Sequence, residues 1–220
     1  MNIPVPGPLP ARREALTLPE VEALLDALPE HAHPVVRVLA FTGLRRSELA
    51  ALNVGDVRTE PDGSLSLRVA HRWVLGPDGC YQRLRGTKAG AHVVRTVPVL
   101  AIIRADLEAA MQGKRPAQTL FTSPRGERID WRNWLRDARW RAAVAKVGKP
   151  GLTLHALRHT AATAWLSASG SIKVTQEVLG HSSAQMTLDI YGRVLDNHRS
   201  EAVAAMNRAV RWDRNDDRVR

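Results

Sequence analysis

Over residues 17 to 52 the apolar positions recur at helical spacing. Thr17-Leu18-Pro19-Glu20 has the spacing of a capping box, and Val21, Leu24, Leu25 and Leu28 follow on one face, which predicts a helix starting at Thr17. A second apolar helix is predicted over Pro34 to Thr42, with Gly43 as its C-terminal cap, and a third, short one should contain Ser47 to Leu52. The period then changes. Ser64-Leu65-Ser66-Leu67-Arg68-Val69 alternates as a half-buried strand does. Gly76-Pro77-Asp78-Gly79 is a turn signal, after which Cys80 to Arg85 can return as a strand, and a turn at Lys88-Ala89-Gly90-Ala91 leads to another at Val93 to Val97. These segments predict a small three-stranded antiparallel sheet. Pro98 ends it and opens a helix running to about Met111.

The rest of the pattern is mostly helical. Leu120-Phe121-Thr122 reads as a brief strand or extended linker, followed by one long helix from about Asp130 to Val147. Thr153 is the expected N-cap of a helix from Leu154 to about Ala168. Further helices are expected around Lys173 to Leu179, Thr187 to Arg193 and Asn197 to Ala209. Prolines at positions 4, 6, 8 and 10 mark residues 1–16 as an extended linker or arm, and residues 213–220 form a charged tail. The expected fold class is α+β: one mostly helical domain over residues 17–212, with a small sheet inserted among the helices.

Composition narrows this picture. Thirty-two Lys and Arg against twenty-two Asp and Glu give a formal charge of +10. That suits a polyanionic partner, because neutralising phosphates releases condensed counterions; solubility or a GC-rich genome gives the same excess. The single cysteine, Cys80, excludes an intramolecular disulfide and a cysteine-rich metal site. With no apolar run long enough to span a bilayer and no secretory leader pattern, the default expectation is a cytoplasmic protein without membrane contact.

Four local signals carry chemistry. Thr42-Gly43-Leu44-Arg45-Arg46-Ser47-Glu48-Leu49 sets arginines beside a helix start, where a planar guanidinium fork and backbone N–H groups can bind phosphate. Gly86-Thr87-Lys88-Ala89-Gly90 sets a lysine on a hairpin turn, within reach of a substrate proton or phosphate oxygen. In Leu154-His155-Ala156-Leu157-Arg158-His159-Thr160, His155 and Arg158 lie three apart and share a helix face. His155 and His159 have a zinc-like spacing, but Ala156 stands where the metalloprotease motif needs Glu and no third ligand is apparent, so His159 is read as a core histidine. Leu179-Gly180-His181 is followed ten residues after the histidine by Tyr191. Each signal alone has an ordinary structural explanation: surface arginines, a solvated lysine, a packed tyrosine.

Taken in order, TGLRRSEL, TK on a hairpin, HALRH, LGH and a late tyrosine resemble the tyrosine recombinase (phage integrase) family, over about Thr17 to Val194. The resemblance implies a DNA breaking-rejoining catalytic domain. It matches Arg45 and Arg158 to the family's two arginines, Lys88 to its hairpin lysine, His155 to the histidine of H-x-x-R, His181 to its His or Trp position and Tyr191 to the nucleophile. Glu48 matches an acidic position that supports the first arginine. Arg46 falls at a variable position. The implied reaction is attack by the Tyr191 phenolate on a phosphodiester, giving a 3′-phosphotyrosyl link and a free 5′-hydroxyl that later reverses the step. It needs no cofactor, no metal and no ATP. Arg45, Arg158 and His181 would stabilise charge on the non-bridging oxygens, His155 would take the phenol proton, and Lys88 would protonate the departing 5′-oxygen.

The resemblance further implies double-stranded DNA as partner and a homo-tetramer on paired sites, with a monomer expected for the isolated chain. Family members usually carry a core-binding domain before the catalytic one, and the pattern here begins almost at once, so weak, salt-sensitive DNA binding is expected. Two alternatives remain at this stage: a non-cutting DNA-binding remnant or decoy, and a type IB topoisomerase with similar Arg, Lys, His and Tyr chemistry.

Overall fold

The computed structural model describes residues 15–86 and 94–180. Helix α1 (Leu18–Ala27) begins in the capping box read from the sequence: the Thr17 hydroxyl accepts from the Glu20 N–H at 3.4 Å, and Glu20 Oε2 accepts from the Thr17 N–H at 2.8 Å. Helix α2 (His33–Thr42) ends at Gly43, whose φ of +65° is the left-handed cap that favours glycine. A Cβ on Gly43 would overlap the Leu179 side chain and stand 3.2 Å from Ala161 Cβ. Glycine therefore serves twice here, allowing the turn and the close approach of α7 (Leu154–Ser169) and α8 (Ile172–Leu179). Along its length α2 packs on α7, and Trp165 Nε1 donates to the Phe41 carbonyl at 2.9 Å. The chain just before α1 is held to α7 as well: buried Leu16 donates its N–H to Thr160 Oγ1 at 2.9 Å.

Short helix α3 (Arg46–Leu49) follows Gly43 after only Leu44 and its N-cap Arg45. It stops before Leu52, short of the expected end, and the carbonyls after it are taken up elsewhere. Trp73 Nε1 donates to Ala50 O at 3.0 Å, and Arg83 Nη2 donates to Ala51 O at 2.9 Å. These bonds come from a two-stranded hairpin of β3 (His71–Leu75) and β4 (Tyr81–Arg85).

The three-stranded antiparallel sheet consists of β1 (Val57–Thr59), β2 (Leu65–Val69) and β5 (Arg95–Pro98), in the order β1-β2-β5. Leu67 pairs with Val97 and both are fully buried. The mostly helical α+β architecture is the one expected, but the membership of its sheet is not: residues 57–59 occupy the place assigned to 80–85. The reason is visible in burial. Strand β4 has no buried face, so alternation could not say which sheet it joins.

Beyond the sheet, α4 (Ala101–Met111) starts after Leu100 and not at Pro98, which stays in β5. Residues 119–122 form only isolated bridges, Thr119 to Asn53 and Thr122 to Arg128. The single long helix expected over 130–147 is two helices, α5 (Trp131–Asp137) and α6 (Trp140–Lys146), broken at Arg139 with φ +50°. A non-glycine residue in that conformation costs about 1–3 kcal/mol. In return the break turns the second helix so that Trp140, Ala143 and Val144 enter the core, while α5 itself buries no residue fully. Among the described residues no helix is long and apolar enough to cross a membrane.

Candidate functional site

The site forms where three chain segments meet: the Gly43 turn after α2, the first turn of α7, and the C-terminal end of α8. Gly43, Ala161 and Leu179 fit against one another there, and none leaves room for a larger side chain at Gly43. A cavity of about 580 Å³ opens beside this junction. Its polar wall is Arg45, Arg46, Ser47, Thr153, His155 and Arg158; its apolar wall includes Leu44, Leu135, Trp140, Leu152 and Leu154.

Arg158 is only 3% exposed, yet it is a cation. Its guanidinium donates through Nη1 to the Gly43 carbonyl and through Nη2 to the Leu179 carbonyl at 2.8 Å, and no carboxylate among the described residues is bonded to it. Burial, and then the neighbouring charge of Arg45, push it down from the usual arginine range to about 9, so it stays protonated at neutral pH. A cation held that way, with part of its surface in a cavity, favours an incoming anion.

Arg45 precedes α3 and is held from both ends of its own turn. Its N–H donates to Glu48 Oε2 at 3.0 Å and its Nη1 to Glu48 Oε1 at 2.8 Å. Glu48 is completely buried. Burial alone would raise its pKa, but hydrogen bonds and charge from Arg95, then those of Arg45, hold it at about 2. It is an anion at neutral pH, and it fixes Arg45 without itself lining the cavity.

Arg95 is the residue that sequence reading missed. It lies on the inward phase of β5, with Val97, where a hydrophobic residue is the ordinary occupant. Nη2 reaches Glu48 Oε2 at 2.7 Å, Nη1 reaches Glu48 Oε1 at 3.2 Å, and Nε donates to Val178 O at 2.9 Å. Gly180 is pressed against it: a Cβ there would be 2.9 Å from both Arg95 Cδ and Nη1. The detectable signal was a charged side chain in phase with the buried positions of a strand.

The end of α8 thus collects three guanidiniums on three successive carbonyls: Arg95 on Val178, Arg158 on Leu179, and Arg45 Nη2 on Gly180 at 3.5 Å. These are the carbonyls an α-helix leaves unpaired at its C-terminus, where the helix dipole is negative. Opposite them, α7 presents its N-terminal end through Thr153, Leu154 and His155. Thr153 occupies the expected N-cap position but makes no side-chain cap bond. The positive helix end, the guanidiniums of Arg45 and Arg158 and the imidazole of His155 therefore face one cavity, an arrangement suited to a phosphate group.

His155 is exposed on this cavity one turn before Arg158, as their spacing predicts, and its ring meets that of half-buried His159 edge to face at 5.0 Å. The structure therefore brings together Arg45, His155 and Arg158, with Glu48 behind Arg45. Lys88, His181 and Tyr191 lie outside the described residues, as do the helices expected over 187–193 and 197–209. Cys80 is exposed, beside the β3–β4 turn, and the Tyr81 ring sits 3.8 Å beneath the Arg128 guanidinium, a packing role.

Comparison with known proteins points one way. A model of the phage integrase family matches residues 14–198. Tyrosine recombinase XerC of Ralstonia pickettii (strain 12J) is 30% identical over 183 residues, covering 79% of this chain and 55% of its own length. The catalytic domain of bacteriophage HP1 integrase superposes with a TM-score of 0.56 at 25% identity, covering 86% of this chain and 93% of that domain. The fold is also similar to that of the Tn1549 transposon integrase, with a TM-score of 0.67 at 24% identity over 83% of this chain and 62% of the other. The chain spans about half the length of the curated relatives it matches.

Proposed function

The chain belongs to the phage integrase family, the tyrosine recombinases, and on that premise we propose that it breaks and rejoins double-stranded DNA through a 3′-phosphotyrosyl intermediate formed by Tyr191. The observation that carries the reading is the convergence of Arg45, His155 and Arg158 on one cavity, with a buried carboxylate fixing the first arginine. In the proposed reaction the scissile phosphate sits between the two guanidiniums. Negative charge grows on its non-bridging oxygens as phosphorus becomes five-coordinate, and Arg45 and Arg158 donate to them. Because both cations are already held by carbonyls and Glu48, they need no reorganisation when that charge develops.

A phenol titrates near pH 10, so attack needs a proton acceptor or a cationic setting. His155 is the proposed acceptor and the arginines supply the setting. Lys88 is the proposed general acid for the departing 5′-oxygen, and His181, next in the chain after Gly180, a further donor to the phosphate. The free 5′-hydroxyl then attacks the phosphotyrosyl bond and releases the tyrosine, so phosphate-ester bond energy is conserved. The partner proposed is double-stranded DNA, bound as a tetramer on paired sites and as a monomer in isolation. The proposed catalytic unit is residues 17–212.

A nicked duplex that, after cleavage, loses the short fragment bearing the free 5′-hydroxyl traps the covalent intermediate. Wild-type protein should form a denaturant-resistant adduct with it, and Tyr191→Phe should form none. An adduct of equal yield in the Phe protein would remove Tyr191 from the reaction.

A further inference from the structure

We propose that Arg95 is a positioning residue whose positive charge offsets Glu48, so that the charge of Arg45 remains available to a phosphate in the cavity. This inference rests on the reading of the cavity as a phosphate site. Arg95 does not line that cavity and is 7% exposed, so it cannot be a direct ligand. Its effect must pass through what it touches, and it touches both oxygens of the carboxylate that also holds Arg45.

The charge arithmetic is simple. Arg45, partly exposed, and Glu48, fully buried, alone form a pair of zero net charge, which would leave Arg158 as the uncompensated guanidinium of these three residues. Adding Arg95 raises the net charge of the group Arg45, Glu48, Arg95 and Arg158 from +1 to +2. The geometry fits that role. Glu48 takes its shortest bonds from both arginines, 2.7 Å from Arg95 and 2.8 Å from Arg45, so neither captures it. With Arg95 neutral, the whole field of Glu48 would fall on Arg45, and part of what Arg45 offers a phosphate would be cancelled at close range. Arg95 also bonds the Val178 carbonyl, which offers a rival, purely mechanical role as a tether for the end of α8.

Charge removal separates the two roles. Inorganic phosphate is titrated into wild type, Arg95→Gln, Arg95→Lys and the double variant Glu48→Gln/Arg95→Gln, following the His155 ring signals by NMR. Adduct formation on the nicked duplex is measured alongside. Arg95→Gln should bind phosphate roughly ten- to thirtyfold more weakly than wild type. The double variant, which removes both charges and leaves the net charge of the group unchanged, should recover most of that loss while staying short of wild type, because the amide of Glu48→Gln holds Arg45 less firmly. Arg95→Lys, which keeps the charge, should return to within about threefold. A tether would behave otherwise, since taking the charge off Glu48 cannot restore a lost bond to Val178. A double variant as weak as the single one, or an Arg95→Gln protein as tight as wild type, overturns the proposal. If Arg95→Gln does not fold by circular dichroism, the Lys and double variants decide: tight binding supports the charge role and weak binding ends it. A wild type that neither binds phosphate nor forms adduct ends the phosphate reading itself, and this inference with it. A wild type that does both while every Arg95 variant matches it ends this inference alone.

Discussion

Two acidic residues in this molecule sit among arginines, and the arginines treat them differently. Glu48, beside the cavity, is fully buried and bonded at 2.7 and 2.8 Å by two guanidiniums that approach it directly. Asp56, just before β1, has Arg68 and Arg83 at 3.6 and 3.7 Å, beyond hydrogen-bonding distance. Arg83 gives two donors to the Ala51 carbonyl instead, and Asp56 Oδ2 accepts the Asn53 N–H at 3.0 Å. The composition of the two clusters is the same, one carboxylate and two arginines. What separates them is where the donors go. Around Asp56 they close a turn and fasten a hairpin, and charge is incidental. Around Glu48 they hold one another at fixed separation beside an opening, which is what a site that must stabilise transient charge requires.

Substitutions can break that contrast or sharpen it. The largest effect is expected from Glu48→Gln, which takes the carboxylate from the buried guanidinium of Arg95 and the partly exposed one of Arg45 and should cost about 3–5 kcal/mol in urea unfolding at pH 7. The pH dependence gives a second signature. Glu48 is held at about 2, below its ordinary 4.5, so its contribution is fully present above pH 4.5 and is lost as pH falls toward 2. The difference in stability between wild type and Glu48→Gln should therefore shrink through that window by on the order of 3 kcal/mol. A difference that stays constant from pH 5 to pH 2 would mean that Glu48 is not the anion described.

A smaller effect is expected from Gly180→Ala. The residue has φ +65°, and its new Cβ would press on the Arg95 guanidinium from 2.9 Å. A loss of about 1–3 kcal/mol is expected, read from the shift in the urea midpoint. Adduct formation should fall as well, because Arg95 must move from Glu48 to make room. The smallest effect belongs to Asp56→Asn. The amide oxygen can still accept from Asn53, and the loose ion pairs should be worth under about 1 kcal/mol, with phosphate binding unchanged. A loss as large as that for Glu48→Gln would erase the distinction between the two clusters.

Much of the helical framework was legible because local chemistry announces it. The Thr17 capping box, the Gly43 cap and the three-residue spacing of His155 and Arg158 are short-range signals, and each lies where it was expected. The break at Arg139 was not legible: no glycine or proline marks it, and its advantage, the burial of Trp140, is a tertiary gain. Nor was the hairpin's separation from the sheet, since strands without a buried face carry no register information and β1 is three residues long. In the site, Arg45, Glu48, His155 and Arg158 stood in recognisable motifs. Arg95 did not, because its partners lie 47 and 83 residues away and only the folded chain joins them.

The grip on the last carbonyls of α8 has a consequence for whatever follows in the chain. Eleven peptide units lead from Gly180 to Tyr191, the proposed nucleophile. Fully stretched they span at most about 40 Å, so the Tyr191 phenol lies within about that distance of the arginines. Confinement of this kind gives a local concentration on the order of millimolar even for a slack tether. By anchoring the chain at the cations, the molecule keeps the proposed reactant within that radius whatever path the intervening residues take.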